Sequence, residues 1–222
     1  METKLRNILK EKGTICVALD FNTTKEIINQ LHILGPHVGL FKLHCDIIDD
    51  FNIDFINELN ILKRTHNFLI WEDRKFSDIG FITHQQLHNG IFKISSWADI
   101  ITCHSTCGYK SIPELNNIGV FLVVELSVSN HLCDSNYIEK SIQIANDHPS
   151  IIGVVCQHNP INLKQNILKV VPGISHKTKT DNYNQTYDSI ENKSFGDIFV
   201  IGRAITTSKN PLEELQKLKI KN

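Results

Sequence analysis

Eight short apolar runs alternate with longer amphipathic stretches along this 222-residue sequence, and the alternation constrains the fold more than any other feature. The apolar runs predict strands at 15–20, 38–44, 68–73, 99–103, 120–125, 151–156, 168–172 and 198–202. Apolar residues at helical spacing predict helices at 24–34, 54–65, 79–94, 109–116, 137–148 and 210–219, with short helical turns at 162–165 and 187–192. Eight β-α units closed on themselves form a TIM (β/α)8 barrel, and an open doubly wound sheet is the alternative.

Length and composition fit one α/β domain, which we place over residues 1–222. The formal net charge of -1 gives no reason to expect nucleic acid or an acidic membrane as a partner. The first residues lack the apolar core of a signal peptide, and no apolar run approaches the roughly 18 residues of a membrane span. We therefore expect a cytoplasmic protein.

Six cysteines are scattered along the chain, mostly inside apolar runs, where a thiol behaves as a small hydrophobic group. We expect no disulfides between them. The one spacing that suggests a metal is Cys103-His104 followed by Cys107, and a zinc site needs more ligands than these. Packing is the better explanation, so we predict no metal site.

The segment from Phe68 to Gly80 carries the densest set of charges, because an apolar run leads directly into Glu72-Asp73-Arg74-Lys75. Side chains alternate between faces along a strand, so Asp73 and Lys75 point the same way. At the C-terminal end of a barrel strand, these two side chains would meet a substrate. The competing interpretation is a solvated ion pair at a strand end, which is common.

Two earlier predicted strands end in the same manner, the first with Asp20 and the second with Lys42 two residues before its end. Three successive strands would thus deliver Asp20, Lys42, Asp73 and Lys75 to one rim of the barrel. Carboxylates and ammonium groups that alternate in a partly dry pocket hold one another rigid and stabilise charge that changes during a reaction. This pattern predicts an active site at the rim.

The last two predicted strands end in residues that suit the binding of a phosphate. Pro172-Gly173 ends the seventh strand, and Gly202-Arg203 ends the eighth. Glycine allows an anion to approach the backbone, arginine offers a planar fork that matches phosphate oxygens, and the loops after these strands often bind phosphate in TIM barrels. In isolation the same residues would be a turn followed by a solvated arginine. The irregular stretch 173–185 between them is long enough to suggest a functional loop.

These motifs resemble the orotidine 5′-monophosphate decarboxylase family, particularly the form found as the C-terminal half of animal uridine monophosphate synthase. The resemblance covers nearly the whole chain. Its most specific part is Glu72-Asp73-Arg74-Lys75-Phe76-Ser77-Asp78-Ile79-Gly80, and it extends to the strand ends at Asp20, His44 and Arg203. The shorter Asp-x-Lys-x-x-Asp core also occurs in related barrel enzymes that act on sugar phosphates.

The resemblance implies decarboxylation of orotidine 5′-monophosphate to uridine 5′-monophosphate, the last step of de novo pyrimidine synthesis, without a cofactor. It implies a catalytic tetrad of Lys42, Asp73, Lys75 and Asp78, in which Lys75 stabilises a carbanion at C6 and protonates it. It also implies a homodimer in which Asp78 reaches into the neighbouring subunit's site. Asp20 and Lys42 match positions that bind the ribose, and the phosphate falls to Gln185, Tyr187, Gly202 and Arg203.

Two positions depart from the family's pattern. Ile82 stands where the family usually carries a threonine that assists the neighbouring site, with Thr83 one place later. Cys156 stands where a serine is expected to hydrogen-bond the pyrimidine, so that contact shifts to Ser127 or to backbone groups. Two other functions stay open: a metal-dependent sugar-phosphate decarboxylase or aldolase of the same superfamily, and a nucleotide-binding protein without turnover. A chelator would inhibit the metal-dependent enzyme, and the nucleotide-binding protein would convert nothing. Conversion of orotidylate in the presence of a chelator therefore separates orotidine 5′-monophosphate decarboxylase from both alternatives.

Overall fold

Eight parallel strands close into a barrel in the computed structural model, which describes residues 1–176 and 178–220. In chain order the barrel strands are β1 (Ile15–Ala18), β2 (Leu40–Leu43), β3 (Leu69–Phe76), β4 (Ile100–His104), β5 (Gly119–Val123), β6 (Ile151–Val155), β7 (Leu168–Val171) and β10 (Ile198–Ile201). The short strands β8 (Lys179–Thr180) and β9 (Thr186–Tyr187) lie between β7 and β10 in the chain and form a separate two-stranded sheet. Neighbours in sequence are neighbours in the barrel, and β1 closes it by pairing with β10, for example through Cys16 and Val200. The predicted TIM barrel is confirmed, and the open sheet is wrong.

Seven helices accompany these strands in the described part of the chain. They are α1 (Glu2–Lys12), α2 (Thr24–Leu34), α3 (Ile53–His66), α4 (Gly80–His88), α5 (Ser135–Asp147), α6 (Arg203–Thr206) and α7 (Pro211–Ile220). The side chains of Thr23, Asn52 and Asp134 accept hydrogen bonds from backbone N–H groups in the first turns of α2, α3 and α5. These caps satisfy donors that the helix itself leaves unpaired, and they explain why the three helices begin there. None of the described helices combines the length and the apolar content that crossing a bilayer requires.

Helix α1 precedes the first strand and was not predicted from the sequence. It buries Leu5, Ile8 and Leu9 against an inward-facing set of strand residues that includes Leu40 and Ile100. These strand residues lie at the N-terminal ends of β2 and β4. The helix therefore contributes apolar cover at the end of the barrel opposite the charged rim.

Two predicted helices differ from the observed ones. The helix predicted at 109–116 is wrong, since only the 3-10 turn Tyr109–Ser111 forms. Pro113 follows, and a proline restricts the residue before it to extended backbone, which Ile112 adopts with φ -77° and ψ 125°. The helix predicted at 79–94 ends at His88, because the Asn89-Gly90 pair turns the chain and Gly90 has φ 71°.

The two predicted short helical turns also differ. Residues 162–165 form turns without a helix. In the 187–192 segment, Tyr187 belongs to a short strand and a 3-10 turn begins only at Glu191.

The barrel interior is filled by large apolar side chains below the charged rim. Trp71 on β3 and Phe121 on β5 pack edge to face, with ring centroids 5.0 Å apart, and both are almost fully buried. A second and larger cluster fills the space between the barrel and the helices. Strands buried on both faces explain why the apolar runs in the sequence are continuous rather than alternating. The polar ends of these strands are consequently held on a rigid frame.

Candidate active site

A cavity of about 650 Å³ opens at the C-terminal ends of the barrel strands. Most of the predicted site residues line it: Asp20, Lys42, Asp73, Lys75, Ser127, Pro172, Gln185, Tyr187, Gly202 and Arg203. Within the described ranges, Asp78 and Cys156 are not among its lining residues. Ten of the twelve residues named in the sequence analysis therefore line one cavity, whereas Asp78 was expected to act in the neighbouring subunit's site.

Four side chains form an alternating line of charges across the floor of the cavity. Lys42 Nζ lies 2.9 Å from Asp20 Oδ1 and 3.6 Å from Asp73 Oδ2. Lys75 Nζ lies 2.9 Å from Asp73 Oδ2. The side chains of Lys42 and Asp73 are 8% and 9% exposed, whereas that of Asp20 is 49% exposed. The centre of the network is thus dry and its Asp20 end is wet, so its central ion pair is the strongest electrostatic element.

The backbone around Lys75 departs from a regular strand. Lys75 has φ 58°, in the left-handed region that residues with a Cβ rarely adopt, and the pairing of β3 with β4 shifts between Glu72 and Phe76. The fully buried carboxyl group of Glu72 accepts hydrogen bonds from the backbone N–H groups of Cys45 and Arg74. These two bonds hold the irregular segment in place, and the conformation directs the Lys75 ammonium back to Asp73.

Burial and neighbouring charges set the protonation of this network. Burial tends to raise the pKa of Asp73, but Lys42, Lys75 and His44 outweigh it, and the pKa lies below its ordinary value. Burial tends to lower the pKa of Lys42, and the carboxylates of Asp73 and Asp20 raise it above its ordinary value. Asp73 is therefore an anion and Lys42 a cation at neutral pH.

His44 is a lining residue that the sequence analysis did not select. Its Nε2 lies 3.5 Å from Asp73 Oδ2, and burial, together with the charge of Lys42, lowers its pKa to about 4. The ring is consequently neutral at pH 7. The signal was available in the sequence, because His44 follows Lys42 by two residues and strand alternation places both on one face.

A small hairpin forms the opposite side of the cavity. Strand β8 (Lys179–Thr180) lies within the stretch 173–185 that was predicted to be irregular, where residue 177 lies outside the described residues. It pairs antiparallel with strand β9 (Thr186–Tyr187), which directly follows that stretch. Gly173 makes the return possible, since it has φ 77° and a Cβ there would lie 2.7 Å from the Thr186 carbonyl oxygen. The hairpin is tied to the loop after β5 by a hydrogen bond from Thr186 N–H to the Ser127 carbonyl oxygen.

The hairpin brings polar groups to Arg203, which directly follows Gly202 at the start of α6. Arg203 donates hydrogen bonds to the Tyr187 hydroxyl and, at 2.8 Å, to Asp181 Oδ2. The Tyr187 hydroxyl also lies 3.0 Å from Gln185 Oε1. The hydrogen bond from Arg203 lowers the pKa of Asp181 to about 2. Asp181 was not predicted, because nothing local in the sequence couples it to an arginine 22 residues away.

Three residues named in the sequence analysis do not line the cavity. Cys156 is fully buried and its pKa is raised to about 12 by burial, so the thiol packs in the core while Ser127 lines the cavity. Asp78 is exposed, and its carboxylate accepts the N–H of Ile79. The hydroxyl of Thr83 is buried and donates to the Asp78 carbonyl oxygen of the same chain.

One group of potential metal ligands exists among the described residues, formed by His44, Asp46 and Glu72 with ligand atoms within 4.8 Å of one another. Both oxygens of Glu72 already accept backbone N–H groups, and Asp46 is exposed. The Cys103, His104 and Cys107 spacing produces no such group in the described ranges.

Comparison with known proteins shows the family of this chain. The family model described as orotidine 5′-phosphate decarboxylase / HUMPS family matches residues 13–218. Uridine 5′-monophosphate synthase of Bos taurus is 34% identical over 218 residues, which cover 94% of this chain and 45% of that protein. The chain thus spans less than half the length of this relative. Orotidine 5′-phosphate decarboxylase of Torulaspora delbrueckii is 33% identical over 219 residues, which cover 91% of this chain and 83% of that protein.

Solved structures agree with the fold. The crystal structure of orotidine 5′-phosphate decarboxylase from Pyrococcus horikoshii OT3 superposes with a TM-score of 0.70 at 22% identity, covering 94% of this chain and 99% of that one. Since identity is low, this likeness supports the barrel and no more. The match of the family model over most of the chain carries the assignment: this chain belongs to the orotidine 5′-phosphate decarboxylase / HUMPS family.

Proposed function

We propose that this chain decarboxylates orotidine 5′-monophosphate to uridine 5′-monophosphate, the last step of de novo pyrimidine synthesis. The observation that carries the proposal is the line of charges Asp20, Lys42, Asp73 and Lys75 on the floor of a cavity whose opposite side holds Arg203. Family membership and the named relatives support the same reaction. A nucleotide has the two ends that such a cavity requires, an anionic phosphate and a reacting base.

The substrate is oriented by its phosphate. Arg203 supplies a guanidinium fork, and Gln185 and Tyr187 add hydrogen-bond donors beside it. Asp20, at the wet end of the network, and the neighbouring Lys42 take the ribose hydroxyls. With the phosphate and the ribose fixed, the pyrimidine ring lies over Asp73 and Lys75. Binding energy from the remote phosphate then positions the ring for reaction.

The chemical step breaks the bond between C6 and the carboxylate carbon. Carbon dioxide leaves and the electron pair stays on C6, where the ammonium of Lys75 stabilises it and then transfers one proton to C6. Asp73 holds Lys75 Nζ at 2.9 Å, so the cation is in place before charge develops. Preorganised charge in a dry site is usually the largest single contribution to catalysis. Lys75 becomes neutral after the transfer and is reprotonated from solvent.

Replacement of Lys75 tests this assignment. We expect Lys75→Ala to abolish turnover and to retain measurable binding of uridine 5′-monophosphate, because the phosphate and ribose contacts remain. Lys164→Ala is the control, since Lys164 is an exposed lysine that does not line the cavity. Turnover of Lys75→Ala at the control rate would remove Lys75 from the donor role.

We also propose that two copies of the chain form a homodimer in which Asp78 completes the neighbouring site. Asp78 is exposed and lies next to two exposed apolar side chains, Ile79 at 62% and Phe81 at 69%. Apolar side chains at such exposure beside a polar residue are typical of an interface between subunits.

Hybrid dimers test the exchange of Asp78. Lys75→Ala and Asp78→Ala are each expected to be inactive. A one-to-one mixture after subunit exchange should recover about a quarter of wild-type activity, since half of the dimers then carry one intact site. A mixture that stays inactive although sedimentation shows mixed dimers would refute the shared site.

A further inference from the structure

A buried hydrogen-bond chain leads from the barrel interior to the catalytic carboxylate. Trp71 Nε1 donates to Thr102 Oγ1 at 2.7 Å, and Thr102 Oγ1 donates to Asp73 Oδ1 at 2.7 Å. Trp71 and Thr102 are 1% and 0% exposed. Trp71 pairs with Ile100 across β3 and β4, so counting two residues onward on each strand places Asp73 beside Thr102. Alternation sends all three side chains into the barrel.

The chemistry of the three groups fixes the direction of the chain. An indole N–H is a donor only, and an ionised carboxylate is an acceptor only. The Thr102 hydroxyl must therefore accept from Trp71, and its single hydrogen is left for Asp73. No other rotation of the hydroxyl satisfies all three groups. The orientation of the hydroxyl is therefore set by the protein itself and does not depend on a bound substrate.

The two oxygens of Asp73 are consequently used differently. Oδ2 lies 2.9 Å from Lys75 Nζ, 3.5 Å from His44 Nε2 and 3.6 Å from Lys42 Nζ. Oδ1 accepts from Thr102. A half turn of the carboxylate about its Cβ–Cγ bond only exchanges two equivalent oxygens, but a partial turn would lengthen the contacts with Thr102 and with the lysines together.

We propose that Thr102, with its hydroxyl oriented by Trp71, is a positioning residue that locks the rotation of Asp73 and thereby holds Lys75 for proton transfer. This inference rests on the proposed decarboxylation. Thr102 does not touch the substrate, and it acts only through Asp73. Neither Thr102 nor Trp71 belongs to the predicted tetrad, so the inference adds a buried pair to the site.

The hydrogen bond also favours the ionised form of Asp73. Other charged or titratable groups influence the same carboxylate from every neighbouring strand: Cys16, Lys42, His44, Glu72, Lys75 and His104. None of them is altered by a change of the Thr102 hydroxyl to a methyl group. A rise in the pKa of Asp73 in such a variant is therefore attributable to the lost donor.

Thr102→Val removes the hydroxyl and preserves the shape. We expect kcat to fall by about 10- to 100-fold, the loss typical of a hydrogen bond to a charged group, with KM changed by no more than about twofold. Thr102→Ser keeps the hydroxyl and should restore kcat to within about threefold of wild type. The acid limb of the kcat profile should lie at higher pH in Thr102→Val than in Thr102→Ser.

The double variant Trp71→Phe/Thr102→Val separates positioning from stability. Thr102→Val alone leaves the indole N–H of Trp71 buried without an acceptor, whereas the double variant removes both polar partners and recovers stability. The kcat of the double variant should stay as low as that of Thr102→Val. Ser141→Ala is the control, because it deletes another buried hydroxyl, bonded to Ser105 and to the Tyr137 carbonyl oxygen, away from Asp73.

Carbon-13 NMR of the Asp73 carboxyl group, assigned with Asp73→Asn, follows its pKa in ligand-free protein. The pKa should be higher in Thr102→Val than in wild type and unchanged in Ser141→Ala. An unchanged pKa together with wild-type kcat in Thr102→Val would overturn the proposal, as would an equal loss of kcat in Ser141→Ala. If wild type itself fails to convert orotidylate, the proposed function fails, and the NMR comparison still decides whether Thr102 governs Asp73.

Discussion

Replacement of Lys42 by methionine should destabilise the fold and stop catalysis, because it removes the central cation of a dry network. Lys42 Nζ is 3.6 Å from Asp73 Oδ2, and both side chains are less than a tenth exposed. Coulomb's law with an effective dielectric constant of about 20 gives an attraction of about 5 kcal/mol at this distance. The cation of Lys75 still faces Asp73 in the variant, so we expect a net loss of about 3 kcal/mol, the lower end for breaking a buried pair.

A second buried pair, at the other end of the barrel strands, provides a matched control. Lys63 Nζ is 2.7 Å from Asp99 Oδ2, the two side chains are 14% and 11% exposed, and Lys4 remains 3.8 Å from Asp99. Lys63→Met should therefore lose a similar free energy of unfolding. It should keep turnover close to wild type, whereas Lys42→Met should lose about 100-fold or more, since only Lys42 lies in the substrate cavity.

Equilibrium urea unfolding and steady-state turnover of the two variants measure both effects. The pKa of Asp73 is lowered in the wild-type fold, so the ionised carboxylate stabilises the fold above the unfolded pKa of about 3.9. This stabilisation is lost as the pH falls through the pKa of the folded state. The stability gap between wild type and Lys42→Met should thus be largest near neutral pH and narrow below about pH 4. Equal turnover in the two variants would refute a special role for Lys42, and an unchanged urea midpoint in Lys42→Met would refute the dry ion pair.

Two further predictions concern the edges of the site. Arg203→Ala should raise KM for orotidylate by about 10-fold or more, because the guanidinium is assigned to the phosphate. The weak binding of the uncharged nucleoside uridine, measured by calorimetry, should stay unchanged. An unchanged KM for orotidylate would contradict the phosphate assignment. Burial raises the pKa of Glu72 to about 8, although the hydrogen bond from the Cys45 N–H lowers it. Between about pH 4.5 and 8 the folded state therefore keeps a proton on Glu72 that the unfolded state has released. Wild-type stability should fall across this window by up to about 1.4 kcal/mol per pH unit relative to Glu72→Gln, and parallel urea midpoints from pH 5 to 8 would contradict the shift.

The sequence was sufficient to predict the barrel and the line of charges. Strand ends at Asp20, Lys42 and Asp73 could be aligned on one rim because parallel strands share a C-terminal edge. Side-chain alternation paired Asp73 with Lys75 correctly, although the contact is made through a left-handed Lys75 rather than a regular strand.

Other features depend on contacts between distant parts of the chain. The bulge at Lys75 is held by Glu72 through the N–H of Cys45, 27 residues earlier, and Asp181 meets Arg203 only when the hairpin folds back. Helix α1 has apolar residues at helical spacing, but counting eight β-α units leaves no place for a helix before β1. Cys156 was matched to a serine by its position along the chain, but its side chain is fully buried and packs in the core.

Conversion of orotidine 5′-monophosphate by the wild-type chain in the presence of EDTA tests the central claim most directly. The charge network is built from the chain's own side chains, so the account predicts uridine 5′-monophosphate and one equivalent of carbon dioxide at the same rate with and without the chelator. In deuterium oxide the product should carry deuterium at C6, because the donated proton exchanges with solvent on Lys75. Nucleotide binding without product, or product formation that the chelator abolishes and a divalent metal restores, would contradict the account.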